Sequence, residues 1–406
     1  QNGDIIQVEL EGEKLYGEPQ GILKKVLGNF EKPGSPEIII CAELDIPTEF
    51  SKASISECLT AGPPEPKGRE DLTSIPLVTI DDEDARDFDD AVWAEPDTSE
   101  NNLGGWNLMI AIADVAAYVK PGSALDKEAQ DRGNSVYLPS KVVPMLPEAL
   151  SNDWCSLKPG KDRACMAVRI SINKEGKTLG YGFTRGIMRS KARLTYSQVQ
   201  AHRDGTLSPQ TESLGEQLDN LYGAYTALKR ARTKRRTLDF DLPEKKITLG
   251  KSGEVISVDA RPHYESHKLI EEFMILANVA AAEALTLRKA PCLYRIHDQP
   301  PQDKAETLRS YLKELGYKLS RTQQLRPQHF QQILEKSKGT KHRDAIALMI
   351  LRSQSQAEYS PQNIGHFGLN IELYSHFTSP IRRYSDLLIH RSLISQLNLG
   401  PGGAPQ

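Results

Sequence analysis

The chain has 406 residues, room for two or three domains at about 150 residues each, and its 38% hydrophobic content excludes disorder along most of its length. Lys and Arg total 51 against 54 Asp and Glu, a net charge of −3, which excludes a histone-like polycation but permits a local basic groove. No apolar run reaches the ~18–20 residues a membrane helix needs, and the longest, Met274–Leu287, is Ala-rich and too short, so a soluble protein is expected. The five cysteines are far apart with no C-x-x-C pair, which predicts reduced, partly buried thiols and a cytoplasmic setting. The chain opens at Gln1 without a Met or a signal-peptide pattern and reads as a fragment or trimmed piece.

In chain order, Ile5, Gln7–Leu10, Gly21–Leu27 and Ile38–Ile40 are short β-rich runs broken by Gly and Pro, the pattern of a small barrel. The Pro/Gly-rich stretch from Ala61 to Arg69 marks the clearest domain boundary. Ile75–Ile80 and Leu108–Val115 then read as buried strands. Helical patterns follow at Ser213–Lys234, Leu269–Leu287, Ala305–Leu315, Gln328–Lys336 and His342–Ala357. No internal repeat of 20–50 residues is present, which argues against solenoids and propellers.

The densest chemistry lies between Asp81 and Asp90, where seven of ten residues are acidic directly after a predicted buried strand. Carboxylates packed this tightly repel unless cations neutralise them. Phe88, between Asp87 and Asp89, is placed to turn inward and hold its neighbours on the opposite side. Hard divalent cations such as Mg²⁺ take carboxylate oxygens and keep positions open for water and phosphate. The EF-hand alternative fails: every register puts Ala85 or Arg86 on a ligand position, and the run has no glycine. A Mg²⁺ catalytic site, a structural or regulatory acidic loop, and a D-x-D nucleotide-sugar or phosphotransferase site remain open on composition alone.

A second constellation runs from His376 to Arg391. Ser379 is a natural N-cap and Pro380 suits the first helical position, which puts Arg382 and Arg383 in the first turn. Cations there oppose the helix dipole, so the pattern suggests a phosphate pocket of free amides and guanidiniums. Asp386 and His390, each one turn further on, would hold the arginine through a ladder of hydrogen bonds. An ordinary surface helix with an Arg–Asp pair is the alternative.

Taken together, PLVTIDDEDARDFDDAV (Pro76–Val92), AIADVAAYV (Ala111–Val119), SVYLPSKVVPMLPEALSN (Ser135–Asn152), HKLIEEFMILAN (His267–Asn278), YRIHD (Tyr294–Asp298) and the blocks between Gly365 and Arg391 resemble the RNB-type 3′→5′ exoribonucleases of the ribonuclease II and R kind, R being nearer. The blocks occur in the family's order and cover nearly the whole chain. The resemblance implies a multidomain α+β protein. Residues 1–60 would be a partial cold-shock (OB-fold) RNA-binding β-barrel, 61–74 a linker and 75–406 a mixed α/β RNB catalytic domain. It implies Mg²⁺-dependent, processive 3′→5′ hydrolysis of single-stranded RNA to nucleoside 5′-monophosphates. Two ions are expected, with Mn²⁺ able to substitute, in a monomer with no small-molecule cofactor and no membrane partner. A catalytically impaired RNA-binding relative of the same fold is the alternative.

Residue by residue, the resemblance implies that Asp81, Asp87, Asp89 and Asp90 surround the metal. Asp89 is the carboxylate most needed for catalysis, and Arg382 contacts the scissile phosphate. Tyr137 would clamp the 3′-terminal nucleotide, Tyr196 would line the channel, and Phe240 and Glu271 would provide a deep stacking wall and a polar contact. Each also has a plainer reading: Tyr137 as turn packing, Phe240 as core, Glu271 as a charge at a helix start, His267 as a cap. The basic run Lys229–Arg236, with six positive charges in eight residues, is either a solvated helix end or a lining of the RNA entry path. The family's chains carry a further cold-shock domain before these blocks, and more helix, a glutamate and an S1 domain after them, so a longer parent protein is expected.

Overall fold

A computed structural model describes residues 2–10, 21–206, 208–240, 242, 244–250, 253–320 and 325–404. Strands β1 (Asp4–Leu10) and β2 (Gly21–Asn29) pair into an antiparallel ribbon. Alternation puts Ile6, Val8 and Leu10 on one face with Val26 and Leu23 opposite, and all five are exposed. The expected barrel is therefore not closed among the described residues. Ile38–Ile40, expected as a strand, lies inside helix α1 (Ser35–Glu43). Gly34 turns the chain at φ 81°, and Pro36 sits in the first helical turn, where its fixed φ favours a helix. Those local signals outweigh the β preference of three isoleucines. Helix α2 (Lys52–Leu59) follows, capped by the Ser51 hydroxyl, which accepts from Ser54 N–H.

A seven-stranded mixed sheet organises the rest. Its strands are β3 (Glu70–Asp71), β4 (Val78–Asp81), β5 (Asp90–Pro96), β6 (Trp106–Ala113), β9 (Asp162–Ile172), β10 (Thr178–Arg189) and β11 (Ala192–Thr195). Between β6 and β9 come helix α3 (Ala124–Arg132) and the short ladder of β7 (Val136–Tyr137) and β8 (Val142–Val143). The sheet order is β11-β4-β5-β6-β9-β10-β3, parallel only at its two edge pairs. Strand β6 is buried over its last six residues and β9 over eight of eleven, which explains their near-continuous apolar runs. Strands β4 and β5 share a single registered pair, Val78 with Val92, and then diverge. The acidic segment occupies that divergence.

Helices α4 (Tyr196–Arg203), α5 (Pro209–Glu212) and α6 (Gly215–Arg235) precede the ribbon of β12 (Glu244–Leu249) and β13 (Val255–Arg261) and the long helix α7 (Glu265–Leu287). Helix α6 crosses the sheet so closely that a Cβ on Gly223 would sit 2.3 Å from the Trp106 ring. A glycine costs ~1 kcal/mol inside a helix, and here the close approach requires it. Strand β14 (Tyr294–His297), helices α8 (Gln302–Glu314), α9 (Pro327–Ser337) and α10 (Arg343–Ser353), strand β15 (Ala357–Ser360) and helix α11 (Tyr384–Gln396) complete the chain. Helices α8–α10 enclose a second, smaller core around Leu308, Leu312, Phe330, Ile333, Ile346 and Ile350. Among the described residues no helix is long and apolar enough to cross a membrane, and all five cysteines are buried free thiols.

Candidate active site

The acidic segment is pinned from below and outside. Ser156, fully buried, accepts from Phe88 N–H (3.0 Å) and donates to the Arg86 carbonyl (2.8 Å). Phe88 is buried as its alternation predicts. Arg193 of β11 lies over its ring and donates to the Asp82 and Glu83 carbonyls (2.6 and 2.7 Å). Arg261, at the end of β13, pairs with the Asp82 carboxylate. Ser156, Arg193 and Arg261 went unnoticed in the sequence because their partners are distant in the chain and no local pattern marks them.

With the loop fixed, Asp81, Asp87, Asp89 and Asp90 all line one cavity of about 1540 Å³. Tyr137, Tyr196, Glu271 and Arg382 line it too. Phe240 is not among its lining residues; its half-buried ring packs on the second core beside helices α8–α10. Glu271 sits nearly two turns into α7, where the dipole reading fails, and accepts from His263 Nε2 (3.0 Å). Tyr196 stacks on His267 (centroids 3.9 Å, 18° between planes), and His267 Nδ1 accepts from Tyr264 N–H, so that histidine does cap its helix.

The arginine segment differs from the expected helix start. Helix α11 begins at Tyr384, while Pro380–Arg382 form a tight turn closed by Arg383 N–H on the Ser379 carbonyl (3.0 Å). Asp386 does not hold Arg382. It takes Arg383 in a two-pronged ion pair (2.9 and 2.7 Å) and also accepts from Ser379 N–H (2.8 Å). His390 donates through Nε2 to the Phe377 carbonyl and stacks on that ring. Arg382 is left half-exposed, with its Nε 3.8 Å from Asp89 Oδ2. The basic run is also less free than it reads: Lys229 pairs with Glu265, and Arg232 and Arg235 with the buried Glu272.

Asp89 is the most constrained carboxylate. Its Oδ1 accepts from Ile381 N–H (3.0 Å), while Oδ2 is buried and takes no hydrogen bond among the described residues. Burial pushes its carboxyl well above the ordinary range despite Arg382 nearby. Burial likewise pushes Asp90 up to about 7, with Asp81 adding like-charge repulsion. Asp81 rises to about 6, again chiefly through burial. Buried carboxylates with an orphan oxygen and too few cations suit a hard divalent ion. Among the described residues no three His, Cys, Asp or Glu side chains enclose an ion by themselves. A cation here would complete its shell with water and substrate oxygens, as Mg²⁺ does.

Clustered carboxylates at diverging strand ends, with the half-exposed Arg382 beside Asp89 in the same large cleft, form an arrangement suited to phosphate chemistry. The chain belongs to the RNB domain family, whose pattern it matches over residues 69–398. It is 43% identical over 399 residues to ribonuclease R of Vibrio parahaemolyticus, covering 96% of this chain and 47% of that protein. It is 45% identical over 328 residues to ribonuclease R of Escherichia coli, covering 80% and 40%. A solved structure of Mycoplasma genitalium RNase R with ribose-methylated single-stranded RNA superposes with a TM-score of 0.88 at 29% identity, over 93% of this chain and 59% of that one. The chain thus spans less than half the length of these two curated relatives.

Proposed function

We propose that this chain is the catalytic part of a 3′→5′ exoribonuclease that hydrolyses single-stranded RNA processively to nucleoside 5′-monophosphates. The observation carrying this reading is that four aspartates, Arg382 and Tyr137 meet in one cavity. Its volume exceeds the ~300–1,000 Å³ of ordinary small-molecule sites, as a polymer requires. Residues 1–60 are read as part of a cold-shock domain that guides the strand, 61–74 as a linker and 75–406 as the catalytic domain. The protein is read as a cytoplasmic monomer without a small-molecule cofactor.

Asp81, Asp87, Asp89 and Asp90 would hold Mg²⁺, with Mn²⁺ able to substitute. When bound, two such ions supply an activated water and offset charge on the leaving oxygen. Arg382 would meet the charge that grows on the phosphate, and its guanidinium would lose little freedom because the Ser379 hydroxyl already accepts from it (3.0 Å). Tyr137 donates to Asp87 (3.4 Å), which holds its ring at the cavity wall for stacking on the terminal base. The flat Tyr196–His267 pair offers a second stacking surface. Glu271 can accept from ribose hydroxyls, a preference for RNA over DNA.

A gel time course on 5′-labelled single-stranded RNA with Mg²⁺, with and without EDTA and beside matching DNA, tests this. The expected result is 3′ shortening to a few nucleotides, abolished by EDTA and absent for DNA. RNA that is bound yet never shortened would favour the inactive RNA-binding alternative.

A further inference from the structure

Resting on that reading, we infer that Asp386 is the positioning residue that assembles the active site from three separate segments. It is fully buried and touches none of the metal-site carboxylates. Its carboxylate accepts from Ser379 N–H (2.8 Å), from Arg383 Nε and Nη2 (2.9 and 2.7 Å) and from the Ser385 hydroxyl (3.0 Å). These bonds clamp both ends of the Ser379–Arg383 turn. Three consequences follow from the turn's shape. The Ile381 amide faces Asp89 Oδ1 and fixes that carboxylate's rotation. The Arg382 side chain leaves the turn toward Asp89 Oδ2. The Arg382 carbonyl accepts from Ser135 N–H (3.0 Å), and Asn134 bridges to Arg383, two and three residues before Tyr137. One buried carboxylate therefore sets the relative placement of Asp89, Arg382 and Tyr137, which arise from the residue before β5, the turn before α11 and β7.

A plain helix-start aspartate would also sit near an amide, but it would not couple to Arg382. The test is a double-mutant cycle in the Mg²⁺-dependent RNA assay, with RNA affinity measured in EDTA. Asp386→Asn keeps the shape and loses the charge. A misplacement of about 1 Å can cost ~10²-fold, so kcat should fall about 100-fold while RNA affinity changes less than about twofold. In an Arg382→Ala background the same change should cost clearly less, about tenfold, because the part of its effect routed through that side chain is already lost while the part carried by the backbone to Asp89 and Tyr137 remains. Arg383→Lys, which keeps the charge but loses the two-pronged geometry, should lower kcat about tenfold with the same background dependence, and it serves if Asp386→Asn fails to fold. Equal losses in both backgrounds, or weaker RNA binding at unchanged kcat, would overturn the inference. A wild-type chain that releases no nucleotide would instead overturn the functional reading. The positioning role is then read from Mn²⁺ titration, where both variants should weaken binding about threefold or more, and unchanged binding would sink it.

Discussion

Asp89 and Asp114 sit at the same end of neighbouring strands, β5 and β6, with the Ala113 amide donating to the Asp89 carbonyl (2.8 Å). Both are buried, at 5% and 1% exposure. Their surroundings are opposite. Asp114 accepts from Arg69 (2.7 Å) and Arg185 (2.8 Å), and Arg185 also donates to the Leu399 and Pro401 carbonyls, tying the C-terminal segment to the sheet. Burial alone would raise its carboxyl, but the two arginines outweigh it and hold it below the ordinary range. At Asp89 and Asp90 burial is opposed chiefly by the single guanidinium of Arg382, and both stay raised. The fold can compensate a buried aspartate and does so at Asp114. Around Asp89 the uncompensated charge is the property that makes the site receptive to a cation.

The widest separation between the two should come from paired Asn substitutions. If Asp89 holds metal as proposed, Asp89→Asn should lower nucleotide release by about 10³-fold or more while leaving RNA affinity intact and without lowering the thermal midpoint. Asp114→Asn should instead destabilise by about 3–5 kcal/mol, because two buried guanidiniums lose their counter-charge. Activity per folded molecule should stay near wild type. Chemical denaturation beside the gel assay checks both, and a similar profile for the two variants would erase the contrast.

The next effect is a pH dependence. Asp90 titrates near 7 in the fold and near 3.8 unfolded, so the folded chain binds more protons between those values. Its contribution to stability is therefore present below the unfolded pKa and lost as pH rises through about 7. In EDTA, Asp90→Asn should gain on wild type as pH goes from 5 to 8, by about 3 °C or more in Tm. Adding Mg²⁺ at pH 8 should reverse the order, because the ion then takes the role of the proton. A pH-independent difference would mean that Asp90 is compensated like Asp114.

What could be read from the sequence divides along the same line. The acidic loop was legible because its density and the alternation around Phe88 are local, and the buried strands and long helices carry clear periodicity. The Ser379–Arg383 turn has the sequence pattern of a helix start, but the helix begins only at Tyr384. Its first signals, Ser then Pro, are those of a cap, and the bond that decides the matter, Ser379 N–H to Asp386, closes over seven residues. Ser156, 68 residues from Phe88, and Arg193, over 100 from Asp82, were invisible for the same reason. Asp114 carries no local mark either; only the fold brings Arg69 and Arg185 to it.

The contrast between a side chain held for packing and one open to the cavity extends to two aromatic residues, and here the effect is smallest. Tyr137 is 56% exposed, lines the cavity and donates to Asp87. Phe240 packs against the second core formed by α8–α10. Tyr137→Ala should lengthen the final oligonucleotide with little change in stability, since it removes a stacking surface worth about 1–3 kcal/mol per base and little buried area. Phe240→Leu should leave the end product unchanged and cost about 1 kcal/mol of stability through imperfect refilling of its half-buried seat. High-resolution gels of the final product, run beside urea denaturation, separate the two. A longer end product from Phe240→Leu would mean that this ring reaches the RNA after all, and that the α8–α10 core moves toward the cavity when substrate enters.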